Sequence, residues 1–468
     1  MNIWVEEEFQ SAYFGDGRLN TRLNLLAEAL AASPGSSLPQ ACGSRDAAKA
    51  AYRFFDCEAV NAGEILHSHY MMTGERCEEE ETVLAVQDTT DMDYTGHPAL
   101  KNVGYLEASY LQGIKIHSTL AVSADGIPLG LLDQHTWVRN NAEIGKRKDR
   151  HNKNTNEKES QRWLDAETAT EEVLEGVSNI VTVCDREADI FDFLAKPRGM
   201  GRELLIRSVQ NRRLDNGGHL QEEIQAQPVR AYIKLELHRH DGNPRRTAEL
   251  SVRYHTVKLS PPLHRRDYKQ LKPVEVNVIL AWEENPPPNM TAVRWLLITT
   301  LPVLSVEDAL KCLKWYSYRW LIERYHFVLK SGCGLEKLQL ETAARMKRAF
   351  AVYCVVAWRL LWLTYAARKH PDISCESVLQ PNEWKTLCCI HFHAAVPPID
   401  PPSLGEAVRW IGMLGGFLGR KGDGQPGVKV LWRGWSRLQD FVAARQLFRP
   451  DDLGEHIQPI YLQLEGYG

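Results

Sequence analysis

Apolar and polar positions fall into three regimes along the chain. Up to about residue 75 the spacing is helical. RLNTRLNLLAEALAASPG repeats apolar residues every three or four positions and stops at Pro34-Gly35. SRDAAKAAYRFFD begins at Ser44, a residue type that caps helix N-termini. The acidic run from Gly74 to Thr82 reads as a linker.

The pattern then shortens to strands. TVLAVQDTTDMDY is an apolar run that stops at a carboxylate, and IKIHSTLAVSADGIPLGLLDQHTWV holds two strands joined by a turn at Asp125-Gly126. Gly145 to Lys158 is polar and basic, a mobile loop by composition, and a helix follows from about Glu159 to Leu174. NIVTVCDREADIFDFLA is a second buried strand ending at a carboxylate and running into a helix, and RELLIRSV is a further strand. This order predicts an α/β domain with a mixed sheet. From about Gln210 to Leu301 strands dominate, broken by Pro261-Pro262 and Pro286–Pro288, without helical periodicity. That stretch is expected to be an inserted β-rich subdomain.

Helical spacing returns from about Val306 to Lys330 and again from Ala343 to Ala367. A C-terminal helical segment begins near Pro371 and contains a Pro-rich break and the Gly-rich basic stretch LGGFLGRKGDGQPGVKVLWRGWSRL. The expected domains are therefore 1–75, 76–370 with the insertion at about 210–301, and 371–468.

Composition changes this picture little. The 468 residues carry a net charge of −4, so there is no global basic footprint, and positive charge for a nucleic acid would have to be local. Such local runs are Lys146 to Lys153, Arg265 to Lys272, Arg420-Lys421 and Lys429 to Arg437, with Arg18, Arg22, Arg45, Lys49 and Arg53 near the start. The acidic N-terminus has no long apolar run, and AFAVYCVVAW is expected to be a buried helix and not a membrane span. Ten scattered cysteines without a CxxC pair fit reduced thiols in a cytoplasmic protein. Cys388, Cys389, His391 and His393 lie close together but match no zinc spacing.

Candidate chemistry comes from two places. Asp88 and Asp185 each follow a buried apolar run, so neighbouring strands would bring both carboxylates to one sheet edge. Asp91, Asp93, Glu187 and Asp189 are close by, and composition does not rank them. In YSYRWLIERYHFVLK, Tyr316, Arg319, Glu323 and Lys330 are offset by three, seven and fourteen residues. On a continuous helix all four share an arc of roughly 60°. Glu323 is the candidate third carboxylate for a two-metal site built from hard oxygen ligands.

QDTT (87–90), VCDREADI (183–190) and Y-x2-R-x3-E-x6-K (316–330), in that order, resemble the DDE transposases of insertion-sequence family four, the group that includes the Tn-five transposase. FGDGRLNTRL, AAYRFF, EKESQRWL, LLIRS, RWLLITT and the Gly-rich C-terminal stretch extend the resemblance over most of the chain. It implies an RNase H-like mixed sheet with a large β-rich insertion, flanked by N-terminal and C-terminal helical domains. Asp88, Asp185 and Glu323 become the catalytic, metal-binding triad for two Mg2+ ions, with Mn2+ as a substitute. Tyr316, Arg319 and Lys330 become phosphate contacts, Trp295 a stacking platform for a flipped base, and Arg207, Arg18 and Arg22 further DNA contacts.

The implied reaction is hydrolysis at transposon ends followed by 3′-OH strand transfer into target DNA through a hairpin. The partners are transposon-end duplex, target DNA and a second copy of the chain, with no membrane, in the bacterial cytoplasm at the nucleoid. The family's helix often has a basic residue where this chain has Leu321, so some backbone contacts differ. Two rival readings are an RNase H-fold nuclease without strand transfer, and a degenerate DNA-binding inhibitor of transposition.

Overall fold

The computed structural model describes residues 3–144, 155–237, 246–263, 265 and 267–448. The basic run 146–153 and residues 449–468 of the C-terminal segment lie outside the described residues. Five helices open the chain: α1 (Ile3–Phe9), α2 (Gly17–Ala32), α3 (Leu38–Cys42), α4 (Arg45–Asp56) and α5 (Ala62–Glu78). Ser44 caps α4 by accepting from the Ala47 amide. Helix α5 runs into the acidic stretch expected to be a linker, because Cys77 at its end is buried in an apolar cluster with Val83, Leu129 and Val177.

Strands β1 (Thr82–Asp93), β2 (Gly104–Tyr105), β3 (Gln112–Ser123) and β4 (Pro128–Trp137) come next. After them are α6 (Arg162–Val173), β5 (Asn179–Cys184), α7 (Phe191–Ala195), β6 (Arg202–Arg207) and α8 (Leu220–Ala226), and strands β7 (Ala231–Leu237), β8 (Arg246–Leu259), β9 (Val274–Trp282) and β10 (Arg294–Thr299). One sheet holds all ten strands, in the order β2-β3-β1-β5-β6-β10-β9-β8-β7, with β4 also on β3. β1, β5 and β6 are parallel, and the other pairings are antiparallel. The β-rich stretch is therefore no separate sheet: β10 pairs with β6 and extends the same surface. It also contains α8, a helix too short for its periodicity to stand out, whose Leu220 and Ile224 join the cluster around Phe193, Leu204 and Leu280.

The remaining helices are α9 (Val306–Ser317), α10 (Trp320–Phe327), α11 (Ala343–Lys369), α12 (Pro381–Phe392), α13 (Leu404–Leu414) and α14 (Val428–Phe448). By length and composition α11 could cross a membrane, but 83% of its most apolar window is buried inside the protein, as in a core helix. The chain groups into two compact units. One comprises 1–68, 327–340 and 344–468, and the other 69–326 with 341–343. The first unit thus joins both ends of the chain, and the Trp435 indole N–H donates to the Ala31 carbonyl at 2.9 Å.

Within that unit α13 and α14 touch backbone to backbone. A Cβ on Gly434 would fall on the Ile411 carbonyl, and one on Gly415 on that of Val430. We expect Gly434→Ala to cost on the order of 2–3 kcal/mol in denaturant unfolding, since neither backbone can give way. Gly427→Ala, with open space around its Cβ, is expected to change stability by less than about 1 kcal/mol.

Candidate active site

The last parallel pair between β1 and β5 is Val86 with Val183. Asp88 stands two residues beyond it on β1 and Asp185 two residues beyond it, directly after β5, so both leave the same edge. Asp88 does not end its strand as the pattern predicted. β1 continues to Asp93 on antiparallel pairing with β3, where Asp88 faces Ser118. Asp185 does end β5, and its carboxylate caps a short 3-10 turn by accepting from the Glu187 amide at 2.8 Å.

The helix expected over Tyr316 to Lys330 is not continuous. α9 stops at Ser317, whose hydroxyl donates to the Lys314 carbonyl at 2.6 Å, a back-bond that bends helices. The amides of Tyr318, Arg319, Leu321 and Ile322 then bond three residues back and tighten the turn. Each tightened residue rotates the succeeding helix by roughly 20° relative to a regular α-helix. After α10 the chain loosens into a π-helical turn, Val328–Gly332, closed by the Cys333 amide on the Val328 carbonyl at 2.8 Å.

Tyr316, Arg319 and Glu323 nevertheless converge. With Asp88, Asp185, Arg186 and Arg207 they line one cavity of about 300 Å³. Arg319 Nη1 lies 3.8 Å from Asp88 Oδ2, and its Nη2 donates to Glu323 Oε1. Burial raises the Asp88 carboxyl to about 7, with Asp185 and Glu323 adding to the rise and Arg319 opposing it. Burial also raises the Tyr316 phenol. Burial works against the charge on Arg319, but Glu323, Tyr316 and Asp88 outweigh it and hold its pKa above the usual value.

The neighbouring acids have other employment. Asp189 is fully buried against Arg212 at 2.5 Å and accepts from Ser208 Oγ at 2.8 Å. Asp91 pairs with Lys115 at 2.5 Å, Asp93 accepts from the Thr95 amide and hydroxyl, and Glu187 pairs with Arg162 at 2.7 Å. Of the acids near the two strand ends, Asp88 and Asp185 line the cavity. Trp295 is half-buried and packs edge-on to Tyr316, ring centroids 5.6 Å apart. Arg207 donates to the Arg294 carbonyl at 3.2 Å. Lys330, Arg18 and Arg22 belong to the first unit: Lys330 is half-buried on the π-helical turn, and Arg18 is exposed and paired with Asp16.

Sequence reasoning missed two side chains. Arg186 is an exposed cation on the cavity, and its position next to Asp185 was the available signal. His326 places Nδ1 3.9 Å from Asp88 Oδ2 and Nε2 3.3 Å from Ser118 Oγ. It sits three residues after Glu323, a helical spacing that could have pointed to it. Three carboxylates on one cavity form a donor set suited to a hard divalent cation. Among the described residues, however, no group of three such side chains is gathered closely enough to hold one, as Glu323 is turned to Arg319. The His391 ring stacks on Trp410 at 4.2 Å.

Residues 1–60 match a family model described as transposase DNA-binding. Residues 355–451 match the transposase Tn5 dimerisation domain. The chain therefore carries transposase DNA-binding and dimerisation domains at its two ends. Neither stretch contains Asp88, Asp185 or Glu323. A solved structure of a piggyBac transposase synaptic complex with hairpin DNA aligns over 96% of this chain and 74% of its own, at 8% identity and a TM-score of 0.36.

Two expectations separate Asp189 from Asp185. Asp189→Ala should cost about 3–5 kcal/mol, because Arg212 stays buried and unpaired. Asp185→Ala should cost about 1 kcal/mol, the loss of a cap. Chemical denaturation measures both. The raised Asp88 carboxyl means that the folded state holds a proton the unfolded chain releases. Its neutral form carries no penalty below pH about 4, and stability is lost as pH rises toward about 7. In EDTA, Asp88→Asn should flatten the fall in melting temperature between pH 5 and pH 8.

Proposed function

We propose that this chain is a cut-and-paste DNA transposase of insertion-sequence family four with an RNase H-like catalytic centre. The observation that carries this reading is the convergence of Asp88, Asp185 and Glu323, from three separate segments, on one cavity that also holds Tyr316, Arg319, Arg186 and Arg207. Carboxylates alone would repel a phosphodiester, and cations alone would bind it without chemistry. Both together fit metal-assisted phosphoryl transfer. The transposase DNA-binding and Tn5 dimerisation matches at the chain ends support the same reading, with a second copy and two transposon ends as partners.

Two Mg2+ or Mn2+ ions held by the three carboxylates would supply Lewis-acid stabilisation of the attacking and leaving oxygens of an in-line displacement. The protein's own groups then have distinct tasks. Arg319 and Tyr316 orient the scissile phosphate, the guanidinium by paired N–H bonds and the phenol by one. Arg207 and Arg186 bind flanking phosphates. Water adds across the phosphodiester, leaving a 3′-OH and a 5′-phosphate. The 3′-OH attacks a phosphodiester of the opposite strand, joining to its 5′-phosphate and releasing the flanking strand as a 3′-OH, which closes a hairpin; water reopens the same link, and the regenerated hydroxyl attacks a target phosphodiester, releasing a target 3′-OH. Trp295, packed edge-on to the cavity-lining Tyr316, would stack the base flipped out of the hairpin. Lys330, Arg18 and Arg22 would hold the duplex outside the scissile link, and the work would take place on DNA in the bacterial cytoplasm.

The test incubates the purified chain with Mg2+ or Mn2+ and a labelled duplex ending in the terminal repeat of its own element. We expect nicks at the 3′ end, then hairpin and joined products. Glu323→Gln should lower the rate at least about 100-fold while leaving duplex binding intact. Cleavage without joining would instead make the chain a nuclease. Binding without cleavage, equal in both proteins, would make it an end-binding inhibitor and remove the triad.

A further inference from the structure

The three carboxylates share their cavity with a cation already. Arg319 is about four-fifths buried there, 3.8 Å from Asp88 and hydrogen-bonded to Glu323. A guanidinium offers five donors and does not lose its proton, so only movement relieves the pairing. A hard divalent ion needs the same oxygens. The two positive charges would lie within a few ångströms of each other in a partly buried site, where their repulsion is strong. Arg319 and a metal are therefore competitors for Asp88 and Glu323.

Resting on the triad reading above, we infer that Arg319 is a latch that keeps the metal site incomplete until DNA arrives. In the free protein it neutralises Asp88 and turns Glu323 away. A phosphodiester entering the cavity offers the guanidinium a bidentate partner of its own. Once Arg319 turns to the phosphate, Glu323 is released to the metal. The backbone is arranged for this. Arg319 sits on the tightened turn between α9 and α10, while Glu323 is held one turn along α10, so the guanidinium swings without unwinding the segment that carries the ligand. By linkage, DNA end and metal then bind with mutual reinforcement, each by the same factor. Cutting is thereby confined to ends already docked, because the protein alone lacks its third ligand.

The test measures Mn2+ binding, read as the free-ion signal in electron paramagnetic resonance, on the full chain and without turnover. Arg319→Met keeps the apolar stem and removes the charge. We expect it to bind Mn2+ about tenfold tighter than the unaltered protein in the absence of DNA. A terminal-repeat duplex with a nuclease-resistant phosphorothioate at the scissile link should tighten Mn2+ binding by a similar factor in the unaltered protein and not in Arg319→Met. Mn2+ affinity in Arg319→Met equal to or weaker than that of the unaltered protein would overturn the latch, as would equal tightening by the duplex in both. Should Arg319→Met fail to fold, the duplex arm on the unaltered protein decides alone: no tightening there overturns the latch. Glu323→Gln separates the two levels of the argument. Unchanged Mn2+ binding in that variant, with and without duplex, would remove Glu323 as a ligand and with it the reading on which the latch rests.

Discussion

Two like charges are held side by side in a site that excludes much of the water, and the parallel pairing of β1 with β5 is what holds them. The register from Val83 with Ile180 to Val86 with Val183 places Asp88 and Asp185 at one level. Val83 to Val86 and Ile180 to Cys184 are buried on both faces, so a slip of one residue would push every side chain into close-packed space shaped for another. The repulsion between the carboxylates is thus opposed by the whole sheet. Burial raises the Asp88 carboxyl and that repulsion adds to the rise, while Arg319 supplies an opposing positive charge. Remove the register, and neither the cavity nor the latch has a basis.

A second constraint sorts the acids around this edge. Three neighbours of the pair each have a fixed cationic partner: Arg212 for the buried Asp189, Lys115 for the half-buried Asp91 and Arg162 for the exposed Glu187. These pairs tie β1 and the turn after β5 to adjoining segments. Asp88 and Glu323 instead share the one charge of Arg319. Incomplete compensation distinguishes a group that is free to change partners from one that serves the fold.

Much of this was legible in the sequence, and the losses have physical causes. The apolar runs before Asp88 and Asp185 located both strands, because a strand buried on both faces leaves a continuous apolar signature. The same pattern could not show that β1 continues past Asp88, since its second half is mostly half-buried against β3 and contains further polar residues at Thr89, Thr90 and Asp91. Helical spacing brought Tyr316, Arg319 and Glu323 together, yet the break at Ser317 was invisible. No glycine or proline marks it; a hydroxyl back-bond and a run of three-residue hydrogen bonds do. That the β-rich stretch extends the same sheet was not legible, because its strands are contiguous in sequence whereas the pairing of β10 with β6 is a contact between distant residues. Arg186 was passed over because an arginine beside an acid is the commonest kind of surface pair.

The net charge of −4 looks unfavourable for a DNA protein, but a sum over residues gives buried and exposed charges equal weight. Asp189, Glu167 and Glu283 are almost wholly buried, paired respectively with Arg212, with Arg198 and Lys196, and with Arg246. Their fields largely cancel within the protein. The cations that face solvent are distributed differently. On α4, Ala48, Ala51, Phe54 and Phe55 are buried, while Arg45, Lys49 and Arg53 are exposed. Offsets of four and eight residues keep those three within about 80° of arc on the outer face. Phosphate affinity depends on how many cations reach the backbone together and how many counterions they release, and not on the total. One row of three exposed cations in the segment that matches a transposase DNA-binding family offers more to a duplex than the overall balance indicates.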